Sequence, residues 1–196
     1  MAETTVPESA VLRAAIASLD GAHIRSEIEV RELAAPANLA PFSVARAADV
    51  RPLHHGTDSD WGTGRFVALY DQSEPEEWGG PWRVICFAQG PLETEIGVEQ
   101  YVADIAWSWL AEALDEHQAR HHSLAGTVTK VLSRGYGDLA EQGEGGQLEL
   151  RASWSPASHD LSAHLEAWAE LLALMAGLPP GVEEVGLLDA KRRARG

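Results

Sequence analysis

Arg65-Phe-Val-Ala-Leu-Tyr70 and Trp82-Arg-Val-Ile-Cys-Phe-Ala88 are the two runs whose reading decides the fold. Apart from their arginines they are apolar at odd and even positions alike. A strand reads that way when both of its faces are covered, which places it in the middle of a sheet. The connection, Gln72-Ser-Glu-Pro-Glu-Glu-Trp78-Gly-Gly80-Pro81, is turn chemistry throughout. The two runs therefore predict a central antiparallel hairpin.

Outward from this hairpin the periodicity changes. Residues 24–33 alternate, with Ile24, Ile28 and Val30 on one side and Arg25, Glu27, Glu29 and Arg31 on the other. That is a half-buried strand with a wet face. Before it, Val11, Leu12, Ala15, Ile16 and Leu19 fall at helical spacing over 7–20, opened by Pro7 and stopped by Gly21. Residues 34–63 are rich in Ala, Pro, Gly and Asp and read as irregular, with a short ordered piece near Phe42–Val50. A stretch of that length without an element is unusual inside a domain, so it is either a packed functional loop or hides an element.

On the other side, 98–118 reads as the strongest helix, with Val102, Ile105, Ala106, Trp109, Leu110, Ala113 and His117 on one stripe. Residues 124–133 and 147–154 read as a second hairpin. The last helix, 159–176, carries Leu161, Leu165, Trp168, Leu172 and Met175 and ends at Gly177 and Pro179-Pro180. The order α-β-β-β-α-β-β-α predicts an α+β fold: an antiparallel sheet of about five strands with helices on one face. Residues 1–180 are expected to form a single α+β domain, with 181–196 a tail ending in a basic run.

Composition excludes several functions. The chain has 196 residues, is 45% hydrophobic and carries a net charge of −15. Nonspecific nucleic-acid binding needs phosphate neutralisation, and anionic membranes repel acidic surfaces, so neither partner is expected. The basic run Lys191-Arg-Arg-Ala-Arg195 could touch nucleic acid or the acidic body, or stay solvated. The single cysteine, Cys86, rules out an intrachain disulfide and multi-cysteine metal sites. Acidic residues near Met1 and the absence of a long apolar run predict a cytoplasmic protein.

Catalytic constellations are sparse. His54-His55-Gly-Thr-Asp58-Ser-Asp60 groups histidine and carboxylate at short spacing, which could hold zinc or another divalent cation for a metal-assisted hydrolase. His117 and His121 stand four apart, but the residues between them lack a metalloprotease glutamate. Asp160 and His164 could form part of a triad, yet no Gly-x-Ser-x-Gly elbow supplies a serine, and a surface ion pair explains them. Cys86, between Ile85 and Phe87, reads as core filler. Phosphate-binding glycine loops are absent, and no cofactor is expected. Among seven tryptophans, Trp109, Trp154 and Trp168 fit buried stripes. Trp78 and Trp82 flank a tight turn, and with Tyr136 of a glycine-rich loop they are the candidate interaction patch.

Several strings carry a resemblance: Leu33-Ala-Ala-Pro-Ala-Asn-Leu-Ala-Pro-Phe-Ser-Val44, Trp78-Gly-Gly-Pro-Trp-Arg83, Pro91-Leu-Glu-Thr-Glu-Ile-Gly97 and Leu150-Arg-Ala-Ser-Trp154. They resemble an actinobacterial family catalogued as domain of unknown function 3000, over about residues 20–180. That resemblance implies an actinobacterial cytosolic protein and brings no activity, cofactor or catalytic residue. The element order alone is similar to the secretion-chaperone-like fold, whose members are small, acidic, mostly dimeric binders of extended segments. The resulting expectation is a non-catalytic protein-binding or adaptor domain with a protein partner, a homodimer included. The alternative is the hydrolase using His54, His55, Asp58 and Asp60.

Overall fold

The computed structural model describes residues 8–51 and 61–180. Six strands, β1 (Ile28–Leu33), β2 (Phe42–Val50), β3 (Thr63–Tyr70), β4 (Trp82–Pro91), β5 (His121–Arg134) and β6 (Glu144–Pro156), form one antiparallel sheet in the order β1-β2-β3-β4-β6-β5. The helices are α1 (Glu8–Asp20), α2 (Thr94–Gly97), α3 (Val102–Glu116) and α4 (Ser162–Met175), with a 3-10 turn at Gly137–Gln142 between β5 and β6. The doubly apolar runs, now β3 and β4, are the two innermost strands, as their pattern requires.

The sheet has one strand more than expected, because the ordered piece at Phe42–Val50 is a full strand between β1 and β3. Its sequence, Phe-Ser-Val-Ala-Arg-Ala-Ala-Asp-Val, is dominated by small residues of weak strand propensity. Pairing on both edges, and cover on both faces of Ala45, Ala47 and Ala48, supply what propensity does not. The second hairpin is also longer than its periodic core, because its ends are polar or glycine-rich.

All the long helices serve one face of the sheet. Helix α4 packs on β2, β3 and β4, α3 packs on β5 and α4, and α1 packs on α4. Even-numbered residues of β3 and β4 point to them: Phe66, Ala68, Tyr70, Trp82, Val84, Cys86 and Ala88 are all buried. Odd-numbered residues face away from the helices. There only Ala45, Val67 and Leu69 form a small second cluster, covered by Ala35, Ala40 and Trp78.

Two tryptophans set how closely the helices approach. Trp168 of α4 lies on Gly64, where a Cβ would stand 2.6 Å from its ring and 2.8 Å from the Phe87 carbonyl. The Trp168 indole N–H donates to that same carbonyl at 3.0 Å. Trp107 of α3 sits over Gly126 of β5 in the same way, 2.7 Å from a would-be Cβ.

Gly64→Ala is expected to destabilise the protein by about 1–3 kcal/mol through overpacking. Trp168→Ala should cost about 3–5 kcal/mol through the cavity it leaves. Urea midpoints measure both, and a neutral Gly64→Ala would show that this contact does not limit the packing.

Candidate interaction surfaces

The residues singled out in the sequence do not converge. Trp82 is 1% exposed, so it does not belong to a surface patch. It lies on the helix side of β4, its ring 4.8 Å from Tyr70, and its indole N–H donates to His159 Nδ1 at 2.8 Å. An even position in an inner strand can only point into the core. Tyr136 is 75% exposed, beside the Arg134 guanidinium. Trp78 is half-buried over the open face, where a turn anchored by its own N–H to the Pro75 carbonyl at 2.9 Å folds it down. Trp78 and Tyr136 stand near opposite ends of the long strand β5. His54, His55, Asp58 and Asp60 lie outside the described residues, as does the run Lys191–Gly196. Among the described residues no group of three His, Cys, Asp or Glu side chains could hold a metal ion.

The histidines have structural uses. His164 is buried and accepts the Trp154 indole N–H on Nδ1 at 3.0 Å, so it is not half of a surface ion pair with Asp160. Asp160 instead accepts the backbone N–H of Ser162 at 3.0 Å at the start of α4. An indole N–H in the core needs an acceptor, and a neutral imidazole is one. His117 and His121 do not share a helical face, because α3 ends at Glu116 and Gln118 takes φ +56°. Cys86 is buried, and burial pushes its thiol up to about 12, which leaves it unreactive.

A cleft of about 630 Å³ lies where His23, Arg25 and Glu27 meet His117, Glu166 and Glu170. Most of its charged side chains already have partners. Arg25 contacts Glu27 at 3.1 Å and Glu170 at 3.6 Å, and Glu166 accepts the His23 N–H at 2.7 Å and faces His117 at 3.4 Å. This network ties the start of β1 to α3 and α4.

Two surfaces remain unsatisfied. Eleven large hydrophobic side chains are exposed among the described residues. Eight of them, Ile96, Val98, Tyr101, Ile105, Val131, Leu132, Tyr136 and Leu139, lie on β5, on the α2–α3 corner beside it, or in the loop to β6. Ile105 was expected on the buried stripe of α3 but is 42% exposed. The helix rests on its Val102, Ala106, Leu110 and Ala113 line, which turns Ile105 onto the shoulder. The other three, Leu33, Leu39 and Ile85, lie on the open face of the sheet or the loop above it. A groove of about 460 Å³ runs across that face, lined by Leu39, Trp78, Arg83, Ile85, Arg151 and Ser153 among others. Neither surface was legible in the sequence, because no local pattern says which apolar residues will lack a cover.

His164 makes acid stability testable. Burial first, then the nearby His121, lowers its pKa from 6.5 to about 4, while Asp160 opposes the shift. The unfolded chain takes that proton near 6.5 and the folded chain does not until about 4. Stability is therefore full above pH 6.5 and falls as the pH drops toward 4, by on the order of 3 kcal/mol for this group. Comparing melting temperature against pH for the wild type and His164→Gln measures it. Equal slopes between pH 6.5 and 4 would remove His164 as the cause.

No described helix is long and apolar enough to cross a membrane. The family model described as Protein of unknown function (DUF3000) matches residues 8–185. No curated protein and no solved structure matches the chain.

Proposed function

We propose that the chain, which belongs to the DUF3000 family, is a non-catalytic protein-binding domain of the adaptor kind that meets its partner along β5. The exposed large hydrophobics at β5 and beside it carry this reading: Leu132 with Ile96, Val98, Tyr101 and Ile105 on the helix side, and Val131 on the open face. Exposed apolar area on the order of several hundred Å² marks an interaction surface.

The edge of β5 adds to it. Among the described residues no strand pairs with its outer side. Soluble proteins guard such edges with charges, proline or bulges. From His121 to Ser133 there is no proline and no carboxylate. The Lys130 ammonium is drawn back onto the Glu99 carbonyl at 2.8 Å, and the bulge at His122/Ala125 leaves the remainder regular. A second copy fits this edge. In a two-fold contact residue i of one copy meets residue j of the other and j meets i, so a stretch free of carboxylates sets no acid against another. In a chain with a net charge of −15, β5 is such a stretch. The single, buried cysteine supports a reducing, cytoplasmic setting for this role.

Sedimentation of the full chain should give twice the 21.1 kDa monomer mass. Val98→Glu with Ile105→Glu, both at exposed positions, should return it to monomer without lowering the melting temperature. A wild-type protein that stays monomeric and binds no other protein through β5 would overturn the reading. An extended segment of another protein seated on β5 would change the occupant and keep the function.

A further inference from the structure

A second surface, on the open face of the sheet rather than at its β5 edge, has its own chemistry. The strand registers align the outward residues of the open face in rows. One row reads Arg31, Ala47, Arg65, Phe87, Arg151, Thr127 across all six strands. The next reads Leu33, Ala45, Val67, Ile85, Ser153, Ala125. Beyond it, Leu69 pairs with Arg83 under the Trp78 turn. Guanidinium groups thus stand on both sides of an apolar floor.

Their partners are unusual for a chain with 30 acidic and 15 basic residues. Arg83 is half-buried, and among the described residues its bonds are all to neutral oxygens: Ser153 Oγ at 2.6 Å, the Ser123 carbonyl at 3.1 Å and Ser155 Oγ at 3.2 Å. These fix the guanidinium in place without neutralising it. Its pKa is lowered by burial, the mark of a desolvated cation without a counter-charge. Arg65 is exposed and makes no hydrogen bond or ion pair among the described residues. Arg151 lies over the Phe87 ring at 5.4 Å and reaches Glu149 at 3.3 Å. The acids on this face, Glu29, Asp49 and Glu149, lie in the row beyond Arg31 and Arg151, and Glu76 and Glu77, which precede Trp78 in its turn, are outside the groove lining. Beside the groove, Ile85 and Leu39 are exposed next to Trp78.

We propose that this groove binds an extended segment of another protein in which glutamate or aspartate alternates with apolar residues. Lined from β3 across β4 and β6 to β5, it spans roughly 15 Å at about 4.8 Å per strand, the length of some four or five extended residues. Side chains of an extended chain point alternately to opposite sides. Apolar ones reach the floor at Ile85 and the walls at Leu39 and Trp78. The carboxylates point to the opposite side of the segment, where Arg151 lines the groove with Arg65 beyond it in the same row, and a carboxylate at the segment's end meets Arg83. Guanidinium and carboxylate pair in bidentate fashion, and the neutral serine oxygens hold Arg83 ready for it. A nucleic acid fits less well, because its continuous phosphate charge meets the field of a −15 chain and finds few cations. A small free anion leaves the apolar floor uncovered.

The test is fluorescence anisotropy of the full chain with a labelled octapeptide alternating glutamate and leucine. Saturable binding is expected, weakened at least tenfold when glutamine replaces glutamate and weakened by added salt. Arg151→Met should reduce affinity about fivefold or more at unchanged melting temperature, and Arg83→Met should do the same in a folded protein of lower melting temperature, because it leaves the buried Ser155 Oγ without its partner. Arg31→Gln, at the far end of the row, should leave it unchanged. No saturable binding, equal binding of the glutamine peptide, or tighter binding of an alternating lysine–leucine peptide or of an oligouridylate would each overturn the proposal. Because Val98→Glu with Ile105→Glu acts at the α2–α3 corner and at no residue of the groove, that variant should still bind the acidic peptide, which separates failure here from failure of the β5 reading.

Discussion

The Trp168 indole resting on the bare Cα of Gly64 is the contact on which the rest of the molecule depends. It sets the height of α4 above the two innermost strands, and its N–H is satisfied by the Phe87 carbonyl. Helix α4 in turn carries α1 and α3. On the opposite side of the sheet the Phe87 ring supports Arg151. One residue of β4 thus joins the helical layer, through its backbone, to the open face, through its side chain.

With three long helices on one side, the sheet has little left to cover the other. The loop at 34–41 and the Trp78 turn shelter only Ala45, Val67 and Leu69. What remains is an open face with arginines and a few apolar side chains, and an edge strand with neither proline nor carboxylate between His121 and Ser133. On that face Glu29, Asp49 and Glu149 stand in a row outside the groove. Net charge therefore describes how the molecule repels most of its surroundings, while the two exceptional surfaces describe what it can meet.

The polar groups in the core serve packing. Trp82 and Trp154 bring their indole N–H groups inside and each meets a histidine, His159 and His164. A buried donor left without a partner would cost about 1–3 kcal/mol, so the imidazoles there follow from the tryptophans. The chemistry suggested by the spacing of Asp160 and His164 gives way to this need, while His117 faces Glu166 and His121 lies against the Ala119 carbonyl.

The amino-acid sequence by itself determined the central hairpin, the long helices and the acidic, cysteine-poor character, because each rests on local periodicity or on composition. The doubly apolar patterns of β3 and β4 could only be inner strands. Tertiary structure decided the remainder. Strand β2 is held by neighbours on both edges, so its alanines carry little local signal. Trp82 and Trp78, four residues apart around one turn, went to opposite faces because strand parity assigns one to the core and a turn folds the other outward. Arg31, Arg65 and Arg151 are far apart in the chain and share a row only through the strand registers. Exposure of Ile105 depends on which line of α3 the sheet accepts. Surfaces of this kind arise where packing stops, and only the assembled layers show where that is.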